Sequence, residues 1–111
     1  MPELASSHNP SKLPPDLRKL FPFQSRFQNI AGYQMHYIDE QPANKPDAPV
    51  VILVHGNPTW SFFFRDLIAD LRQEFRVVAV DHLGCGLSAR PTDRRLNATD
   101  RMDHLEELID K

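Results

Sequence analysis

The sequence predicts an α/β fold, a β-hairpin followed by parallel β-α-β-α units, and three observations predict it. Two short runs, Val50–Val54 and Arg76–Asp81, are apolar almost throughout and rich in β-branched residues. Runs of that kind suit strands covered on both faces, as in a parallel sheet. Each is followed by a segment with apolar residues at helical spacing. Before them lie two segments that alternate apolar and polar residues, the pattern of strands with one buried and one wet face.

Taken in order, residues 1–22 hold Pro2, Pro10, Pro14, Pro15 and Pro22 among small and polar residues. Proline at that density sustains neither a helix nor a central strand, so this is a Pro-rich tail. A short helical turn over Asp16–Leu20 is expected to pack on the domain, which then occupies residues 23–111. Arg26–Ile30 and Tyr33–Asp39 form the hairpin, with Ala31-Gly32 as its turn. Gln41–Pro49 is a polar, proline-containing loop. After strand Val50–Val54, Phe64, Leu67, Ile68 and Leu71 mark the buried side of a helix within residues 60–74. His82–Asn97 is a loop punctuated by Gly84, Gly86 and Pro91. Met102, Leu105, Leu108 and Ile109 mark one side of a closing helix. In this architecture such a helix normally leads into a further parallel strand, so the sheet is expected to be incomplete.

Composition narrows the function. With a net charge of -2 and scattered basic residues, nothing points to nucleic acid or an anionic membrane as partner. The Arg94-Arg95 pair reads as a solvated surface. No stretch approaches the ~20 apolar residues that a membrane span requires. Residues 1–15 lack the apolar core of a signal peptide, and the expected location is cytoplasmic. The single cysteine, Cys85, excludes an internal disulfide and a multi-cysteine metal site. His8, His36, His55, His82 and His104 share no metal-ligand spacing, so no metal is expected. Gly84-x-Gly86-x-x-Ala89 matches a dinucleotide fingerprint in form. Pro91 and the aperiodic residues 90–97 leave no helix N-terminus to take a pyrophosphate, so no cofactor is expected either.

The most informative stretch is His55-Gly-Asn-Pro-Thr-Trp-Ser61, where a buried parallel strand ends and a helix begins. Ligands bind at the carboxyl ends of the strands in open α/β sheets. Gly56 permits a sharp turn, and Pro58 restricts Asn57 to extended conformations. Together they can hold the Asn57 backbone N–H toward a developing negative charge, with the Asn57 side chain as a second donor. An ordinary strand–helix turn accounts for the same Gly and Pro. His55 is expected to brace its loop, and most of the aromatics at 60–64 to be core. Cys85, between two glycines, has no neighbour in sequence that would lower its pKa.

His55–Ser61 followed by Phe62-Phe-Phe-Arg65, with Asp81-His-Leu-Gly-Cys-Gly-Leu-Ser88 behind it, resembles the haloalkane dehalogenase and epoxide hydrolase branch of the α/β-hydrolases. The hairpin ending in His36-Tyr-Ile-Asp39 fits the usual opening of that branch, and the likeness runs from about Phe21 onward. The Gly-Cys-Gly-Leu-Ser form of the second loop is also similar to the β-lactone decarboxylases of olefin biosynthesis. The resemblance implies the N-terminal part of an α/β-hydrolase fold. It implies Asn57 in an oxyanion or halide site, supported by His55, Gly56, Pro58 and Trp60, and a small apolar substrate.

It also implies an Asp nucleophile on a sharp strand-to-helix turn, a later acid and a histidine. None of these is found in the chain. Gly32, Gly56, Gly84 and Gly86 bracket no nucleophile at the spacing of such an elbow. The nucleophile is expected beyond Lys111, and the chain by itself to be marginally folded and inactive. A truncated product that catalyses nothing, and at most binds a partner supplying missing strands, is the other expectation.

Overall fold

A computed structural model describes residues 13–56, 59–92 and 95–110. The elements are α1 (Pro15–Leu20), β1 (Arg26–Ile30), β2 (Tyr33–Glu40), β3 (Val50–Val54), a 3-10 turn (Ser61–Phe64), α2 (Arg65–Leu71), β4 (Arg76–Val80) and α3 (Ala98–Ile109). Four strands form one sheet in the order β1-β2-β4-β3. The β1–β2 and β2–β4 pairs are antiparallel and β3–β4 is parallel. This is the expected hairpin followed by a parallel crossover.

The hairpin closes at Ile30↔Tyr33 through Ala31 (φ 53°) and Gly32 (φ 87°). Two successive positive φ values are the pattern of a tight primed turn, whose twist matches that of the flanking strands. The short helical turn expected over 16–20 is α1, with Pro15 in its first turn where no backbone donor is lost. Phe21, directly after it, is fully buried.

Each face of the sheet carries its own core. On one, Phe21, Phe23 and Ile38 pack with Val77, Ala79 and Ile68 of α2. On the other, Ile30, Met35, Val80 and Leu83 pack with Leu108 of α3. The alternation along β4, with Val77 and Ala79 to one side and Val80 to the other, sends one strand into both cores.

Burial departs from expectation at three places. β3 is not covered on both faces: Val50, Ile52 and Val54 are 54%, 38% and 44% exposed. It is the outermost strand, and among the described residues no helix lies over that face of it. Val50 and Ile52 instead line a groove of about 480 Å³ shared with Val78, Leu105 and Ile109. On α2, Ile68 is buried but Leu67 is exposed, because the 3-10 turn ahead of the helix shifts the phase of its inward side. On α3, Met102 and Ile109 are exposed and His104 is buried beside Leu108. A polar residue thus occupies the place expected of an apolar one. Asn97 begins this helix with a capping box, accepting from Asp100 N–H while the Asp100 carboxylate accepts from Asn97 N–H.

Candidate active-site loops at the carboxyl ends of the parallel strands

Because β3 and β4 are parallel neighbours, the loops that follow them emerge side by side. The first begins with His55, which is buried. Its Nδ1–H donates to Gly56 O at 2.8 Å, and its Nε2 accepts the His82 backbone N–H at 3.0 Å. The two contacts assign the tautomer and tie the first loop to the second. Gly56 O also accepts from Thr59 N–H (3.0 Å) and Thr59 Oγ1–H (2.8 Å). A tight turn is therefore closed from residue 56 to residue 59. Asn57 and Pro58 fall inside that turn but outside the described residues.

Trp60 stacks on Phe62 at 5.2 Å, and Phe21 packs against both rings. Trp60 is half-buried. Gly56 has no positive φ, and among the described residues a Cβ built on it meets no atom within 4 Å. The glycines that the geometry requires are in the second loop. Gly84 and Gly86 have φ of 87° and 53°, and a Cβ on Gly86 would lie 2.5 Å from Asp81 Oδ2 and 2.6 Å from Trp60 Cε3.

Asp81, fully buried at the end of β4, joins the two loops. Its Oδ1 accepts from Ser61 N–H at 2.7 Å. Its Oδ2 accepts from Leu87 N–H at 3.1 Å and from His36 Nδ1–H at 2.8 Å. Burial pushes this carboxyl up, but the His36 ring and the Ser61 and Leu87 amides prevail and hold it below the usual carboxylate range. Ser88, also buried, donates its hydroxyl to Asp81 O (2.6 Å) and accepts from His36 N–H (2.7 Å). The second loop is thereby folded back onto β2.

His36, Asp81 and Ser88 form a polar core that motif reasoning missed. In the sequence His36 falls on the wet side of an alternating strand, yet it is fully buried because loop 81–89 closes over it. The His36 Nε2 faces Ser25 Oγ at 2.9 Å, so hydroxyl, imidazole and carboxylate stand in the order of a nucleophilic triad. Arg18 Nη2 donates to the same hydroxyl at 3.1 Å, and Ser25 does not line the groove beside β3. The trio is a brace rather than a reaction centre.

His82 is buried beside His55, ring centres 4.6 Å apart. Burial, then the charges of His55 and Arg101, push its pKa down to about 4, so the ring is neutral at pH 7. Among the described residues its buried Nδ1 has no hydrogen-bond partner. The neutral His82 ring thus lies against His55 at the start of the first loop. Cys85 is half-buried, and no group of described His, Cys, Asp and Glu residues is arranged to hold a metal ion.

Comparison with known proteins places these loops in context. The family model described as alpha/beta hydrolase fold matches residues 49–111. A cis-3-alkyl-4-alkyloxetan-2-one decarboxylase of Shewanella oneidensis is 40% identical over 96 residues, covering 85% of this chain and 29% of that protein. Haloalkane dehalogenase 2 of Mycobacterium tuberculosis is 49% identical over 74 residues, 67% of this chain and 24% of that protein. Among solved structures, the tetrameric haloalkane dehalogenase DpaA from Paraglaciecola agarilytica superposes with a TM-score of 0.75 at 31% identity. That match covers 92% of this chain and 36% of the other. The chain therefore spans only 24–29% of the length of these curated relatives.

Proposed function

The chain belongs to the α/β-hydrolase fold family, and on that premise we propose that it is the portion of a dehalogenase-like hydrolase that supplies the oxyanion or halide site. The observation carrying this reading is the pair of hydrogen bonds from Thr59 to Gly56 O, which close the chain on either side of sequence position 57 at the carboxyl end of β3. Donors help an oxyanion or a departing halide only when they are held in place beforehand, and such a turn does that. Trp60 beneath it and His55 beside it support the arrangement.

In the complete enzyme an Asp carboxylate, supplied from beyond residue 111, attacks the substrate carbon. The carbon–halogen bond breaks and halide leaves with the bonding electrons. Water then cleaves the alkyl ester and returns the carboxylate. Asn57 stabilises the departing halide or the oxyanion. The substrate is small and apolar, and the protein works without metal or cofactor in the cytoplasm. Among the described residues no helix is long and apolar enough to cross a membrane. The open edge of β3 and its exposed apolar face are consistent with a sheet that continues past this strand.

A second reading is favoured by the relative that matches the larger share of the chain, a decarboxylase of β-lactones. The Gly84-Cys85-Gly86 form of the second loop supports it. Supplying the gene's full translation product with a primary haloalkane and, separately, with a cis-β-lactone separates the two. Halide release is expected, whereas alkene and CO₂ without halide turnover would transfer the chain to the second reading. The 111-residue chain alone is expected to turn over neither.

A further inference from the structure

We propose that His36 is a positioning residue of the motif loops: acting through Asp81, it fixes the Ser61 and Leu87 amides and so sets both loops around the Asn57 turn. The catalytic consequence rests on the proposed role of that turn. The positioning itself does not.

The tautomer follows from the partners. Asp81 is an acceptor, so His36 Nδ1 carries the hydrogen in the 2.8 Å contact. Ser25 Oγ takes a hydrogen bond from Arg18, which leaves its own hydrogen for His36 Nε2. The line Arg18–Ser25–His36–Asp81 therefore runs in one direction and ends on a carboxylate. That carboxylate has three donors, one from each neighbouring segment: β2 through His36, the 3-10 turn through Ser61, and the second loop through Leu87.

Two of those donors are backbone amides whose positions depend on where the carboxylate sits. Without the third, nothing from β2 holds Oδ2, and the Asp81 carboxylate keeps only the two loop amides. Gly86 lies so close to Asp81 and Trp60 that the carboxylate has one place to be while the loops keep this shape. His36 selects that place from β2, beneath the second loop that closes over it. Its side chain bonds Asp81 and Ser25, so it reaches the loop amides through the Asp81 carboxylate.

The test compares His36→Asn with His36→Gln in the 111-residue chain. An Asn carboxamide nitrogen falls near the imidazole Nδ1 position and can still donate to Asp81, whereas a Gln nitrogen falls near Nε2 and cannot. Amide hydrogen exchange is read at Ser61 and Leu87, with amides of the β2–β4 ladder as the reference for general opening. A hydrogen bond to a charged group contributes about 1.5–3 kcal/mol, so His36→Gln should lose about 10–100-fold protection at both amides. The ladder amides should not change, and His36→Asn should retain most of the wild-type protection at Ser61 and Leu87. Equal protection in the two variants, or a loss in His36→Gln shared by the whole ladder, overturns the proposal. Trp60, the single tryptophan, adds a signature, since its emission should shift to the red in the Gln variant alone. Neither readout involves turnover. An inactive full-length enzyme would therefore count against the proposed function and leave the role of His36 standing.

Discussion

Replacing Gly86 by alanine is the sharpest perturbation that the two loops permit. The backbone there has φ of 53°, a conformation that costs an L-residue about 1–2 kcal/mol. The added methyl would also lie 2.5 Å from Asp81 Oδ2 and 2.6 Å from Trp60 Cε3. Neither neighbour can move cheaply, because Asp81 holds three donors and Trp60 is stacked on Phe62. Overpacking a tight site typically costs about 1–3 kcal/mol, which brings Gly86→Ala to about 2–5 kcal/mol. Gly84 supplies the control: its φ is 87° but a Cβ there meets nothing within 4 Å, so Gly84→Ala should cost only the conformational part, about 1–2 kcal/mol. Gly56 has neither positive φ nor a close neighbour, so Gly56→Ala should stay within about 0.5 kcal/mol. Urea unfolding followed by Trp60 fluorescence ranks the three. If Gly86→Ala proves as mild as Gly84→Ala, the loops are not packed against Asp81 as described.

Two further predictions concern the second imidazole and the open strand. His82 is held neutral, its pKa pushed from the ordinary 6.5 to about 4, so below 6.5 the unfolded chain takes up a proton that the folded chain refuses. Its contribution is complete above pH 6.5 and is lost as pH falls toward 4, a change of about 3 kcal/mol at most. Asp39 and Asp81 have lowered carboxyl pKa values, and their contributions are lost only in more acid solution, so the windows separate. His82→Leu should flatten stability between pH 6.5 and 4; an unchanged slope would refute the assignment. Val50→Lys on the exposed face of β3 should slow aggregation of the 111-residue chain while moving its unfolding midpoint little, about 0.5 kcal/mol or less. Faster aggregation, measured by light scattering, would show that this face is not the adhesive one.

Local pattern made the elements legible. The apolar runs located β3 and β4, the alternation located the hairpin, and Ala31-Gly32 located its turn. Burial was less legible, because it depends on what lies across an element rather than on the element itself. The run Val50–Val54 has the composition of a doubly covered strand, and its open face follows from its outermost place in the sheet. His104 likewise took an inward position on α3 that the apolar residues Met102 and Ile109 did not.

The candidate site divides in the same way. The two motif loops and their adjacency at the strand ends could be anticipated from strand order. The polar core beneath them could not, since His36 and Ser88 are 52 residues apart and meet only when the second loop folds over β2. One signal was available: the acid that ends β4 is followed by closely spaced glycines. Such glycines often mark backbone passing close to a side chain, and Gly86 does so against Asp81. At Gly56 φ is not positive and a built Cβ meets no described atom within 4 Å.

The most direct test of the central claim, that the turn around Asn57 stabilises developing negative charge, is kcat for Asn57→Ala in the gene's full translation product. Removing one preorganised donor from such a site typically lowers kcat about 10²–10³-fold. That loss, with KM for the haloalkane little changed and the fold intact by circular dichroism, is the result expected. Turnover within a few-fold of wild type would contradict the account and return residues 55–61 to an ordinary strand–helix turn.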